Sequence, residues 1–167
     1  MSLTTHELGF ESLDGVRTAD ALCVFVAEDE RPLEGAAGFA DWRLCGGLSR
    51  ALRAGFFIGA ADDCLLMPSR GRLAMRRIFV IGIGLARELD ADRLGRALAR
   101  AARVLRLAKV EGVALDIPGA RTLAESTRAA ALLNQFIPEF RGGSVAVLSD
   151  KGLLRLLSSS MRPGNSG

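Results

Sequence analysis

The fold is decided by the strand-like stretch Arg77-Ile-Phe-Val-Ile-Gly-Ile83, the long segment Leu89–Lys109 and the stretch Gly112–Ile117. The first and third are short apolar runs without polar alternation, which is typical of strands buried on both faces. The middle segment repeats apolar residues at helical spacing. A strand, a helix and a strand in this order predict two parallel strands joined by a crossover helix.

Similar patterns flank this unit on both sides. Toward the C-terminus we predict a helix, a strand and a helix over Arg121–Phe136, Ser144–Leu148 and Asp150–Ser158. Upstream, the apolar run Ala21–Val26 is a further buried strand. Cys64–Met67 is also strand-like, and its link to Arg77 is too short for a helix, so this pair is predicted to be antiparallel. The fold class is therefore α/β: a three-layer α/β/α domain with a mixed, mostly parallel sheet.

One helix is expected between the strands Ala21–Val26 and Cys64–Met67, from about Ala40 to Ala54. Its apolar residues Leu44, Leu48 and Leu52 recur at helical spacing. The pair Gly46-Gly47 lies inside it and costs about 1 kcal/mol per glycine relative to alanine. We therefore expect close packing against a neighbour at these glycines.

Composition limits the class of protein. The chain has 167 residues, 49% of them hydrophobic, and a formal charge of +3, which excludes bulk disorder and suits one domain. We predict a tag or disordered start over residues 1–5, a single domain over 6–160 and a tail or linker stub over 161–167. Three cysteines without a CxxC pair indicate buried, reduced thiols in a cytoplasmic protein, and no run is long enough to suggest a membrane segment.

Few residues offer catalytic or metal-binding chemistry. His6 is the only histidine, which excludes Ser-His-Asp triads and histidine-rich metal sites. Gly82-Ile-Gly84 follows a strand as in a dinucleotide fingerprint, but Arg87 replaces the third glycine, so a simple strand-exit turn is favoured. The acidic clusters Glu28-Asp29-Glu30 and Asp62-Asp63 lack a calcium-loop pattern and are interpreted as solvated loops. No catalytic, cofactor-binding or metal-ligating residue is predicted.

A row of arginines on the long helix is the candidate interaction face. All but two of the 22 basic residues in the chain are arginines, and five of them recur on one side of this helix: Arg93, Arg96, Arg100, Arg103 and Arg106. A solvated helix surface is the favoured interpretation, a partner interface comes second, and nucleic acid comes third because a charge of +3 is a weak field and tyrosine is absent.

Several segments taken together resemble one known family. The stretches are Leu44-Cys-Gly-Gly-Leu-Ser-Arg-Ala-Leu-Arg-Ala-Gly55, Cys64-Leu-Leu-Met-Pro68, Arg76-Arg-Ile-Phe-Val-Ile-Gly-Ile-Gly84 and Glu88-Leu-Asp90. In this order they resemble the N-terminal domain of the leucyl (cytosol) aminopeptidase family, which has a glycine-containing helix, a strand ending in proline and a helix opened by an acidic residue. The resemblance implies a macro-domain-like fold.

The resemblance also carries expectations about function. In that family a separate C-terminal domain holds two divalent metals, zinc or manganese, and releases N-terminal amino acids from peptides. No segment of this chain matches those catalytic motifs, so we expect no enzymatic activity and no cofactor in it. The implied role is a non-catalytic accessory or interaction domain, either a fragment or a free-standing relative, with a catalytic domain or a homo-oligomer as partner. The alternative is a macro-like protein-binding module or a module for a small ligand of the nucleotide or ADP-ribose type, which is less favoured.

Overall fold

A computed structural model describes residues 1–160 and shows one mixed six-stranded sheet between two layers of helices. The strands are β1 (Ser2–Glu7), β2 (Ala21–Val26), β3 (Cys64–Pro68), β4 (Arg77–Gly82), β5 (Gly112–Leu115) and β6 (Ser144–Ser149). Their order across the sheet is β1-β6-β5-β2-β4-β3. Every neighbouring pair is parallel except β3 with β4, which confirms the predicted antiparallel edge.

Within residues 1–160, seven α-helices cover the sheet. They are α1 (Phe10–Gly15), α2 (Gly35–Arg43), α3 (Gly47–Arg53), α4 (Ala91–Leu107), α5 (Glu125–Ala131), α6 (Ile137–Phe140) and α7 (Lys151–Ser160). A 3-10 turn (Ala86–Glu88) precedes α4, and a π-helical turn (Leu132–Phe136) joins α5 to α6. Among residues 1–160, no helix combines the length and the apolar character that crossing a bilayer requires.

The central strands divide the interior into two hydrophobic cores. Alternate side chains of a strand point to opposite faces, so Cys23 and Phe25 join one core while Leu22 and Val24 join the other. The first core is closed by α4, α5, α6 and α7, and the second by α1, α2 and α3. The predicted three-layer α/β/α architecture is confirmed.

The start of the chain differs from the prediction. Residues 2–7 form β1, which pairs in parallel with β6 from Ser2 opposite Ser144 to Glu7 opposite Ser149, so the expectation of a disordered start was wrong. The polar sequence Ser2-Leu-Thr-Thr-His-Glu7 hides this strand because it lies at the sheet edge, where most of its side chains need no apolar partner. The predicted tail over 161–167 lies outside the described residues.

The helix predicted from Ala40 to Ala54 is two helices. Cys45 (φ 52°) and Gly46 (φ 79°) both adopt left-handed backbone conformations, which end α2 and allow α3 to start in a new direction. The carboxylate of Asp41 in α2 accepts a hydrogen bond from the Ser49 backbone N–H at 2.9 Å and so joins the two helices. The glycine pair therefore marks a turn rather than a close packing contact inside one helix.

The helix predicted over Arg121–Phe136 begins later and ends later. Its regular part starts at Glu125, and the helical backbone continues through the π-helical turn to Phe140. Pro138 lacks an N–H, and its ring would clash with the carbonyl four residues earlier, at Asn134 inside the π-helical turn. The wider turn thus accommodates a proline within a continuous helical segment.

Gly82 shows how closely the segments approach at the end of β4. A Cβ built on Gly82 would lie 2.0 Å from the carbonyl oxygen of Ala60 and 2.8 Å from the carbonyl carbon of Gly59. These are backbone atoms, so a rotamer change cannot relieve the clash. Gly15, at the end of α1, has open space where a Cβ would be.

We expect Gly82→Ala to lower the free energy of unfolding by about 3 kcal/mol, at the upper end of the usual cost of overpacking. Urea denaturation measures the change. The matched control Gly15→Ala should leave stability unchanged or raise it by up to about 1 kcal/mol, because alanine is the better helix former. Equal effects of the two substitutions would contradict the close approach seen at Gly82.

Candidate functional site

The parallel strands end at a common edge of the sheet, and a cavity of about 370 Å³ lies there. The loops after β2, β4, β5 and β6 form its walls. Apolar surface comes from five buried side chains: Phe25, Ile83, Leu89, Ile117 and Leu148. The carboxyl edge of a parallel sheet is the usual ligand-binding position in open α/β folds, and the volume lies at the small end of the range for ligand pockets.

The loop after β2 is bound to the loop after β4 through Asp29. The Asp29 carboxylate accepts hydrogen bonds from the backbone N–H groups of Ala86 (2.6 Å) and Arg87 (3.5 Å). The Ala86 N–H is the main cause of a lowered pKa of Asp29, to which the Arg87 N–H and charge add. An ionised Asp29 therefore holds one side of the pocket together.

Asp116, the first residue after β5, is a partly buried carboxyl group of the pocket. Its Oδ2 accepts a hydrogen bond from the backbone N–H of Ala36 at 2.8 Å, at the start of α2. The contact requires glycine at position 35, because Gly35 has a positive φ of 58° and a Cβ there would lie 2.3 Å from Asp116 Oδ2. Burial raises the pKa of Asp116 to about 6, although the Ala36 N–H and the charge of Arg128 act against that rise.

Arg128 of α5 joins the ends of β5 and β6. Its side chain is 3% exposed and donates to the carbonyl oxygen of Ile117 (2.6 Å), to Ser149 Oγ (3.3 Å) and to Asp150 Oδ2 (3.0 Å). The other oxygen of Asp150 accepts from the N–H groups of the first turn of α7, including that of Leu153 at 3.1 Å. Burial would raise the pKa of Asp150, but the Leu153 N–H and the Arg128 guanidinium outweigh it, so this pKa is lowered.

Every arginine that lines the pocket has a carboxylate partner. Arg121 lies 2.7 Å from Glu34 and 3.9 Å from Glu30. Arg128 is paired with Asp150, and Arg87 lies 3.8 Å from Asp29. Burial and the neighbouring Glu34 raise the pKa of Glu30. Asp116 differs, because no lysine or arginine of residues 1–160 lies within 4 Å of its carboxylate. The site thus has a surplus of negative charge.

The five arginines of the predicted interaction face lie on α4, and none of them lines this pocket. Each has a carboxylate within 4 Å: the pairs are Arg93–Glu88, Arg96–Asp92, Arg100–Asp62, Arg103–Glu139 and Arg106–Glu139. Arg100 also donates to the carbonyl oxygen of Gly82 at 2.5 Å. The positive charges of the Arg93–Arg106 face are therefore all paired with carboxylates.

The remaining sequence candidates are structural. Gly84 (φ 74°) donates its N–H to Gly59 O, and α4 begins only at Ala91, after its N-cap Asp90, so the Gly82–Gly84 stretch is a strand-exit turn. His6 lies in β1, and its Nε2 is 3.1 Å from Thr4 Oγ1. Residues 1–160 contain no group of three or more His, Cys, Asp or Glu side chains placed to hold a metal ion.

The cysteines are only partly as predicted. All three are free thiols, but only Cys23 is buried, while Cys45 and Cys64 are exposed. Burial raises the pKa of the Cys23 thiol. Cys64 is exposed because β3 is an edge strand that alternates outward and inward side chains, unlike the central strands.

Sequence reasoning missed the residues that build the pocket. Arg128 looks like an ordinary surface arginine of an amphipathic helix, and nothing local shows that it is buried. Asp116 offered a signal, because a carboxylate directly after a buried strand lies at the ligand-binding edge of a parallel sheet.

The profile of the "Cytosol aminopeptidase family, N-terminal domain" matches residues 22–135. The chain belongs to the cytosol aminopeptidase family. This confirms the resemblance drawn from the sequence. A probable cytosol aminopeptidase of Geotalea uraniireducens is 32% identical over 109 residues, which are 62% of this chain and 22% of that protein. The chain thus spans about a fifth of the length of the curated relatives it matches.

Solved structures share the fold. A tomato leucine aminopeptidase mutant matches with a TM-score of 0.62 and 16% identity, covering 95% of this chain and 35% of that one. A Trypanosoma brucei macrodomain in complex with ADP matches with a TM-score of 0.68 and 11% identity, covering 95% of this chain and 68% of that one. At these identities the likeness shows the fold alone, and it confirms the macro-domain-like α/β architecture.

We expect the raised pKa of Asp116 to make folding pH-dependent. The folded protein binds the Asp116 proton more tightly than the unfolded chain does. The contribution of Asp116 to the free energy of unfolding therefore falls as the pH rises from about 4 to about 6. Asp116→Asn cannot ionise and keeps an oxygen for the Ala36 N–H. Relative to the wild type, the free energy of unfolding of the variant should rise by about 2 kcal/mol between pH 4 and pH 7.

Urea denaturation at the two pH values measures this difference. Asp62→Asn is the matched control, because the Asp62 side chain is fully exposed, and its difference from the wild type should change little with pH. If the free energies of unfolding of Asp116→Asn and the wild type differ by the same amount at pH 4 and pH 7, the raised pKa of Asp116 is contradicted.

Proposed function

We propose that this chain serves as a non-catalytic accessory domain of a cytosol aminopeptidase in the cytoplasm. The carrying observation is the match of residues 22–135 to the N-terminal domain of that family, with relatives about five times longer than the matched region. In this proposal, release of N-terminal amino acids and its two zinc or manganese ions belong to a C-terminal domain outside these residues. The chain acts by contacting that domain or other copies of itself.

The exposed arginines of α4 are the proposed contact surface. The Arg96 and Arg103 side chains are 71% and 64% exposed, and their ion pairs with Asp92 and Glu139 are at the surface. Surface ion pairs of this kind contribute at most about 1 kcal/mol, so a carboxylate-bearing partner can replace the internal acid at little cost. Arg100 is less suitable, because its guanidinium is 24% exposed and bound to Gly82 O.

We expect the double substitution Arg96→Glu and Arg103→Glu to weaken association with the C-terminal domain of the Geotalea uraniireducens relative by at least tenfold. The two introduced glutamates would then repel the carboxylates that this proposal places on the partner. Analytical ultracentrifugation of the mixture measures the association. The control Arg17→Glu with Arg53→Glu makes the same change in net charge at exposed sites outside α4 and should have no effect. Unchanged association of the α4 variant would remove this surface from the proposal.

A second candidate function is small-ligand binding in the pocket at the strand ends. The specific observation in its favour is the 370 Å³ cavity with apolar walls and polar groups at the carboxyl edge of the sheet. The loops after Ile83 and Ile117 both line it. ADP-ribose is one ligand to test, since the Trypanosoma brucei macrodomain was solved with ADP.

We expect at least one compound from a panel of ADP-ribose and small amines to stabilise the protein in thermal denaturation. A ligand at a hundred times its Kd contributes about 2.7 kcal/mol. Ala120→Trp places a large side chain at an exposed position lining the pocket and should abolish the stabilisation. Ala54→Trp, at an exposed position elsewhere, should retain it. Stabilisation that survives Ala120→Trp would place the ligand outside this pocket.

A further inference from the structure

The pocket at the strand ends has an unusual distribution of charge. Four carboxyl groups and three arginines line it, and each arginine already contacts a carboxylate. The remaining acid, Asp116, has one oxygen held by the Ala36 N–H and no basic partner within 4 Å among the described residues. A ligand therefore meets an unneutralised carboxylate next to apolar walls.

A phosphate group suits this arrangement poorly. Arginine binds phosphate through its guanidinium fork, but Arg121 and Arg128 would first have to leave Glu34 and Asp150. The Arg128–Asp150 contact is largely buried on the arginine side, where breaking an ion pair is costly. An anion would also lie close to Asp116, Glu30 and Glu34.

A cation has the opposite balance. A protonated amine can donate to Asp116 without displacing an existing ion pair, and the attraction is strengthened by the low-polarity surroundings. The apolar part of such a molecule can cover Phe25, Ile83 and Leu148. Burial raises the pKa of Asp116 more than the Ala36 N–H and the charge of Arg128 lower it.

The positive charge of Arg128 acts on Asp116 and limits where a cation can lie in the pocket. The Arg128 side chain is almost fully buried, yet its Nε has no hydrogen-bond partner among the residues that the structure describes. An ammonium group only donates and cannot satisfy this N–H, so the case for a cation rests on Asp116 and the apolar walls. Arg128 lines the same cavity as Asp116, and it donates to the carbonyl oxygen of the very next residue, Ile117.

We infer that this pocket binds a small organic cation, a protonated amine on an apolar body, with the ammonium group against the carboxylate of Asp116. The inference rests on the small-ligand function proposed above and specifies its ligand class. A site for an organic cation differs in charge from a site for a nucleoside diphosphate, although both would lie at the same edge of the sheet.

The binding should depend on pH in a defined direction. Asp116 must be ionised to attract the amine, so affinity should rise from pH 5 to pH 7.5, with a midpoint near the pKa of about 6. The titratable and charged groups that face Asp116 are Cys23 of β2, Glu30 of the next loop and Arg128 of α5. The Cys23 thiol has a raised pKa and stays neutral in this range.

The test uses ¹⁵N-resolved NMR titrations with L-phenylalaninol, a protonated amine in this pH range. Its matched neutral analogue is 3-phenyl-1-propanol, which lacks only the amino group, and 3-phenylpropanoate is the anionic analogue. We expect phenylalaninol to shift the amide signals of Ala36 and residues 117–119 and to bind at least tenfold more tightly than the alcohol. Asp116→Asn should remove this preference, whereas the control Asp62→Asn should keep it.

Equal binding of the amine and the alcohol by the wild type would overturn the inference, whatever the fate of the variants. Shifts of the same amides by ADP-ribose alone would overturn it while supporting the small-ligand function. If neither the amine, the two analogues nor ADP-ribose shifts these amides, both the cation inference and the small-ligand function fail.

Discussion

The structure depends on covering the four central strands on both faces. The side chains of β2, β4, β5 and β6 are buried along almost the whole length of each strand, so both faces of this part of the sheet must be covered. Each strand therefore contributes to two cores at once, and a helix layer must close each of them. Parallel strands also require long crossovers, and the helices that satisfy this requirement are the same ones that close the cores.

The same constraint creates the pocket. Parallel strands bring their carboxyl ends to one edge, and the loops that leave in different directions cannot fill the space between them. The chain holds these loops with carboxylates and one buried arginine rather than with apolar contacts: Asp29 binds the loop after β4, and Arg128 binds the ends of β5 and β6. Asp116 remains as a carboxyl group without a lysine or arginine of residues 1–160 within 4 Å, although the charge of Arg128 still acts on it. The fold, rather than a local motif, thus makes this edge the chemically distinctive part of the molecule.

The α4 arginines show why a surface pattern read from sequence needs the structure. The spacing of Arg93 to Arg106 correctly places the five residues along one helix, and the apolar side of α4 packs on the sheet as its periodicity requires. Two of their partners are distant in sequence, Asp62 in the loop before β3 and Glu139 in α6, and two are near, Glu88 just before α4 and Asp92 within it. Local spacing contains no information about the first two.

The sequence by itself determined the fold class, the antiparallel edge pair and the resemblance to the cytosol aminopeptidase family, because continuous apolar runs, link lengths and ordered motifs can be read locally. Only the tertiary structure decided that the polar residues 2–7 form a strand, since β6 supplies the edge on which they pair. It alone decided that Arg128 is buried and that Asp116 lies beside Gly35 and Ala36, some eighty positions earlier in the chain. Burial and charge compensation depend on which segments the sheet brings together, and that arrangement is a property of the whole chain.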